Sequence, residues 1–190
     1  MAFEHPSGLP NAFDRALYAS SALQGLVYYG ERPYIQGAEL NDMQRIHRAN
    51  IRRVGRIIVS DGTRIERADA LVSREDETVT LEAGRVYADG DGWDVPAATL
   101  EDVPMAGRVE IGIRIVTTYV THEDDPTLKG LVPGSDAEGE PGAAREYRFA
   151  AWAYEGDDGE GMFVAVYTLQ DGTILDQVGP DILAPALQAV

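Results

Sequence analysis

The chain has 190 residues, a hydrophobic fraction of 44%, no cysteine and a formal net charge of −16. This length suits one domain with a sizeable apolar core, and the missing cysteine excludes disulfides, thiolate metal sites, iron–sulfur clusters and cysteine nucleophiles. The charge opposes binding to nucleic acid, whose phosphates reward lysine and arginine.

No apolar run approaches the ~20 residues that span a bilayer. The start, Met1-Ala2-Phe3-Glu4-His5-Pro6, lacks the basic and apolar parts of a signal peptide. A soluble protein made inside a cell is the expectation, without membrane insertion.

Residues 1–35 read as an irregular arm broken by Gly8, Pro10, Gly25, Gly30 and Pro33, with a short helix over Ala12–Leu26. Phe3, Phe13, Leu17 and Tyr18 need burial somewhere, as do Tyr28, Tyr29 and Tyr34, so the arm is expected to be an interface element.

Residues 36–56 carry the strongest helical signal. Glu39 and Asp42 stand in the first turn and arginines in the later turns, which complements the helix dipole, and Gly55 marks the expected end. Leu40, Met43, Ile46, Ile51, Val54 and Ile58 recur at helical spacing as one apolar stripe. At ~100° per residue, Arg45, Arg48, Arg52 and Arg56 gather on the opposite face. Such a ridge either pairs with the chain's own carboxylates or docks on an acidic partner, a task that suits guanidinium forks. A second pattern overlaps the first. Leu40, Met43, His47, Asn50, Val54 and Ile57 follow the three-four spacing of a heptad seam, with polar His47 and Asn50 at core-type positions that fix register. A globular core face fits this spacing nearly as well, because the run falls short of three to four heptads.

Residues 57–180 change to short strands and tight turns. Asp61-Gly62 reads as a turn, Thr78–Leu81 and Arg85–Tyr87 as strands, and Asp89-Gly90-Asp91-Gly92 as a turn before Trp93. From Arg108 to Tyr119, Val109, Ile111, Ile113 and Ile115 alternate with Glu110, Gly112 and Arg114, the period of a half-buried strand. A polar loop covers His122–Ala144. Glu146–Tyr154 and Met162–Leu169 are apolar on both faces, as expected inside a sandwich, with an acidic hairpin loop at Glu155–Gly161 between them. Asp171-Gly172 turns into a strand at Thr173–Leu175. Residues 181–190 form a C-terminal segment with a short helix, ending on an apolar stretch. The expected class is α+β: an arm, one substantial helix, then an antiparallel β-sandwich-like domain.

No nucleophile elbow, His-Glu-x-x-His or Walker loop occurs. His5, His47 and His122 lie far apart in sequence without ligand spacing. Three acidic clusters, Asp89/Asp91/Asp94, Glu123-Asp124-Asp125 and Asp157-Asp158/Glu160, read as solvated loop tips. The first begins like a calcium loop, but Trp93 occupies a ligand position and the closing glutamate is missing. The sequence assigns no catalytic residue, metal site or cofactor.

The stretch from Gly30 to Gln44, with Gln36, Glu39, Leu40, Asn41 and Gln44 in place, resembles the G-R-P-L-Q-x-x-E-L-N-x-x-Q signature of an uncharacterised domain family found in phage and gene-transfer-agent-like tail fibre and baseplate proteins. Glu123-Asp124-Asp125-Pro126-Thr127-Leu128 and Pro141-Gly142-Ala143-Ala144-Arg145 resemble its E-D-x-x-L and P-G-A-x-R blocks, in order. The likeness runs from about Tyr28 to Asp176, with one extra residue between Gly30 and Gln36.

The resemblance implies a virion structural protein at the tail tip or baseplate. It acts there without catalysis, contacts other tail proteins and assembles as a homotrimer. A host glycan would be reached through a further segment; the chain is then either a short member or the base of a longer protein continuing past Val190. The interface residues implied are Gln36, Glu39, Leu40, Asn41, Gln44, Pro141, Gly142 and Arg145, joined by Arg45, Arg48 and Arg52 from the helix ridge. A rival is a carbohydrate-binding β-sandwich that stacks host sugars on Trp93, Trp152 and tyrosines. A third reading is a glycan-degrading enzyme using two loop acids.

Overall fold

The computed structural model describes Leu26, residues 37–130 and residues 132–177. The expected arm, Gln36 and the segment 181–190 lie outside these residues, apart from Leu26. The chain divides into two compact units, Met1–Ile58 and Val59–Val190.

The described part of the first unit is one helix, α1 (Gly37–Ile58), of 22 residues. It runs through Gly55 instead of stopping there. Isoleucines on the far side keep the pattern going, and one interior glycine costs only about 1 kcal/mol. The covered side of α1 differs from the expected one. Ala38 and Asp42 are buried, and Arg45, Ala49 and Arg52, which continue the same column, are half-buried. Leu40, Met43, Ile51, Val54, Ile57 and Ile58 are exposed.

Among the described residues, every paired strand of the second unit is antiparallel. Its strands are β1 (Arg64–Arg67), β2 (Ala70–Ser73), β3 (Thr78–Leu81), β4 (Gly84–Ala88), β5 (Asp91–Val95), β6 (Ala98–Leu100), β7 (Arg108–Val120), β8 (Arg145–Tyr154), β9 (Met162–Gln170) and β10 (Thr173–Gln177). They form three sheets, ordered β1-β4-β5, β2-β3-β6 and β10-β9-β7-β8. The chain crosses between the two small sheets three times: β1 pairs with β4, β2 pairs with β3, β4 with β5, and β3 with β6. Two Asp-Gly hairpin turns set the registers of their strands. Asp89-Gly90 joins Ala88 to Asp91, and Asp171-Gly172 joins Gln170 to Thr173, with both residues of each turn at positive φ as a type I′ loop requires.

One apolar core lies between the sheets. Val109, Ile111, Ile113 and Ile115 of β7 enter it with Trp152, Val166, Tyr167 and Leu169, and meet Val79, Leu81, Val86 and Val95 from the small sheets. The period-two reading of β7 therefore holds along its inward face. The expectation that β8 is covered on both faces does not hold. Trp152 and Ala153 are buried, whereas Tyr147, Phe149 and Ala151 face outward and are exposed. The four-stranded sheet is a half-buried one, with an open face beyond Val116, Tyr147 and Phe149.

Candidate interface surfaces

Two of the sequence blocks, Glu123–Leu128 and Pro141–Arg145, meet in the long connection between β7 and β8. Asp124 folds back on Thr121, its carboxylate accepting from the Thr121 N–H at 2.9 Å and the Thr121 hydroxyl at 3.0 Å. Asp125 caps a 3-10 turn at Pro126–Leu128, accepting from the Thr127 N–H at 2.9 Å and the Thr127 hydroxyl at 2.7 Å. These hydrogen bonds favour the ionised carboxylates and hold both below the usual aspartate range; the bonds from the Thr121 N–H and the Thr127 hydroxyl are the largest causes, respectively. The turn then docks on the second block. Lys129 bridges Pro141, and the Gly142 N–H donates to the Leu128 carbonyl at 2.8 Å. Arg145 donates to the Ala143 carbonyl at 2.9 Å, and its charge also favours ionised Asp125. Residues 129–141 are thus a loop closed at its neck, with further backbone bonds between Gly130 and Glu140 and between Gly139 and Gly130. Pro141, Gly142 and Arg145 belong to that neck.

Immediately after the neck, β8 presents an aromatic pair to the outside. Tyr147 and Phe149 stand two residues apart on one face, ring centroids 6.4 Å apart and planes 8° from parallel, with exposures of 47% and 59%. The register sets them opposite Thr118 and Val116 of β7. Beyond them, Phe163 of β9 carries the Arg114 guanidinium over its ring at 5.6 Å, and Arg114 also pairs with Asp157. Two exposed aromatic rings on an open sheet face are the composition of a protein-binding patch. Sequence reasoning missed this pair, because Glu146–Tyr154 has apolar residues in both phases and the pattern alone does not say which phase is inward.

The tryptophans do not make a stacking platform. Trp152 is buried. Trp93 is half-buried; its indole N–H donates to the Ala88 carbonyl at 2.7 Å, and the Arg148 guanidinium lies over its ring at 4.9 Å.

The acidic clusters are not simply solvated tips either. Asp89 accepts from Arg148 at 2.7 Å, Asp94 from Arg85 at 2.7 Å, and Asp157 from Arg114. Asp94 thus ties β5 to β4, while Asp89 and Asp157 tie their turns to β8 and β7. Among the described residues, no group of three or more His, Asp or Glu side chains is arranged to hold a metal ion.

On α1, Glu39 is half-buried in the first turn, Asn41 is half-buried, and Leu40 and Gln44 are exposed. Arg45, Arg48 and Arg52 lie half-buried rather than on a free ridge, and each already has an interaction partner. The two candidate surfaces, α1 and the β7–β8 connection, lie in different units.

A protein-family model described as "Domain of unknown function (DUF4815)" matches residues 11–189. No curated protein matches the chain. Among solved structures, "Crystal structure of TssK" is similar at 11% identity with a TM-score of 0.41, over 80% of this chain and 40% of that one. "The baseplate complex from the type VI secretion system" is similar at 11% identity with a TM-score of 0.36, over 83% and 41%. The chain spans about two fifths of the length of each, and superpositions this loose carry no functional argument.

Proposed function

For a chain that belongs to the family described as Domain of unknown function (DUF4815), we propose a non-enzymatic structural role: an adaptor that seats a tail fibre on the baseplate or tail tip of a phage-like particle. The observation that carries the adaptor reading is the open face of the four-stranded sheet, where Tyr147 and Phe149 stand exposed beside the closed loop of residues 129–141. A monomer in water gains nothing by displaying two large rings there, and a partner surface that covers them gains their transfer free energy. The loop neck beside them is closed by backbone hydrogen bonds, which lowers the ordering cost of docking.

The tail location rests on the resemblance of the blocks around Gln36–Gln44, Glu123–Leu128 and Pro141–Arg145 to those of tail fibre and baseplate proteins. The partners in this reading are neighbouring tail proteins and further copies of the chain as a trimer, with neither nucleic acid nor membrane insertion. The net charge of −16 fits a component that stays soluble until it meets its seat.

The exposed pair also favours a second reading, in which the same rings stack on a host-surface sugar. A glycan array separates the two. The adaptor reading expects no sugar specificity from the isolated chain and loss of particle incorporation in a Tyr147→Ser/Phe149→Ser variant that remains folded. Sugar-specific binding abolished by that variant, with incorporation intact, overturns it.

A further inference from the structure

We infer that the exposed face of α1 is a self-association surface, on which copies of this chain pack in parallel through the seam Leu40, Met43, His47, Asn50, Val54 and Ile57. The inference deepens the proposed role by naming where copies meet; it rests on that role for its meaning and on the helix for its physics.

The seam has three-four-three-four-three spacing, the repeat that keeps one edge of a helix facing another. All six positions are exposed, from 47% at Met43 to 85% at Ile57 for the apolar ones. The opposite column of Ala38, Asp42, Arg45, Ala49 and Arg52 is the covered one. An ordinary amphipathic helix turns its apolar stripe inward. Here the stripe with the coiled-coil repeat faces out, and the charged column does not.

The flanks of the seam select the occupant. In a parallel, in-register arrangement the positions beside the core pair as Glu39 with Gln44, Ile46 with Ile51, and Arg53 with Ile58. None of these pairs is like-charged, and one is wholly apolar. A copy of the same helix is therefore compatible along its full length. Ile46, Ile51 and Ile58 widen the stripe beyond its two core columns, so one neighbour leaves a flank uncovered and a third chain covers it.

The polar core residues fit the same arrangement. Arg53 donates to the Asn50 side-chain oxygen at 3.2 Å, and the Asn50 amide N–H groups are donors for the same residue on a neighbour. A polar layer of this kind fixes register at a cost in stability. With His47 it leaves four apolar core positions in 22 residues, so the association is weak and concentration-dependent unless other parts of the assembly add to it.

The experiment is sedimentation velocity on the full chain across a micromolar-to-millimolar series, with near-ultraviolet circular dichroism of Trp93 and Trp152 reporting the β-unit. Wild type should show reversible self-association. Leu40→Glu/Val54→Glu should weaken it by at least about tenfold with the dichroism unchanged, and Asn50→Leu should strengthen it by a similar factor. Tyr147→Ser/Phe149→Ser should leave it as in wild type. Val54→Cys, the single thiol in an otherwise cysteine-free chain, should cross-link to its copy under mild oxidation, as a parallel register requires.

A wild-type chain that stays monomeric throughout the series overturns the inference. So does association unchanged in Leu40→Glu/Val54→Glu, or lost in the sheet variant. Association without the Val54→Cys cross-link overturns the parallel register. Failure of the sheet variant to lose particle incorporation counts against the adaptor role and leaves the seam standing.

Discussion

The Gly142 N–H donates to the Leu128 carbonyl at 2.8 Å, and a Cβ added to Gly142 would stand 2.1 Å from that same oxygen. The backbone bond and the close approach have one cause: only a residue without a side chain lets these two segments meet. Gly142→Ala should therefore open the neck of the 129–141 loop. Forcing the neck apart costs about 1–3 kcal/mol locally. Amide exchange at Gly130, Gly139 and Gly142 should accelerate while the β7–β9 amides keep their protection. Unchanged exchange at those glycines would show that the neck tolerates the methyl group.

The capping carboxylates make the same segment acid-sensitive in a defined window. Asp124 and Asp125 are held below their ordinary value of 3.8 by the Thr121 and Thr127 donors. A lowered native value means that the stabilisation is fully present above the ordinary aspartate value and is lost as pH falls through the lowered one. The Thr121 and Thr127 amide resonances should thus hold position down to the ordinary aspartate range and move only below it. Titration of both at or above 3.8 would contradict the capping geometry.

Arg148 joins β8 to the β4–β5 hairpin by two contacts at once, a 2.7 Å ion pair with Asp89 and a position 4.9 Å over the Trp93 ring. Asp89 is only 9% exposed, so losing this guanidinium removes a charge-assisted hydrogen bond from a largely buried carboxylate. Arg148→Ala should cost about 2–3 kcal/mol in chemical denaturation. Arg148→Lys should recover only part of that, because an ammonium cannot reproduce the planar stacking. Full recovery by lysine would mean that charge alone matters there.

Tyr167 is buried, and its hydroxyl donates to the Ala68 carbonyl at 2.5 Å. Burial pushes the phenol above its ordinary value of 10.0. A raised native value contributes stability that is present below the ordinary value and lost as pH rises through the raised one. Ultraviolet titration should find Tyr167 ionising late, together with loss of the fold. Tyr167→Phe should remove that late step and destabilise by about 1–2 kcal/mol through the carbonyl it leaves. A late step that persists in Tyr167→Phe would assign it to another tyrosine.

The sequence made the long strand and the turns legible because their signals are local. The alternation of Val109, Ile111, Ile113 and Ile115 and the Asp-Gly pairs at 89–90 and 171–172 each act through their own backbone. The sheet that a short strand joins is decided by distant partners. For that reason Ala70–Ser73 and Asp91–Val95 carried no visible strand signal, and nothing local marked the switching between the small sheets. The helix was legible as a helix, but not which side it covers. Its apolar stripe and its arginine column both satisfy the helical period, and the residues that cover Asp42 and Arg52 are not encoded in the helix itself. On β8 the two apolar phases hid the open face, so Tyr147 and Phe149 were missed as a site. The two blocks around Leu128 and Gly142 were legible only as motifs; their meeting at a loop neck came from the fold.

We propose that this chain is a structural part of a tail, seated through the β8 face. Quantitative mass spectrometry of purified particles, from a producing strain complemented with either wild type or Tyr147→Ser/Phe149→Ser, tests it most directly. The account predicts a fixed, small whole-number ratio of wild-type chain to the other baseplate proteins. It also predicts at least about a tenfold lower ratio for the folded variant, as expected when two central aromatic contacts are lost. Purified particles that lack the wild-type chain, while the free protein is abundant in the same cells, would contradict it.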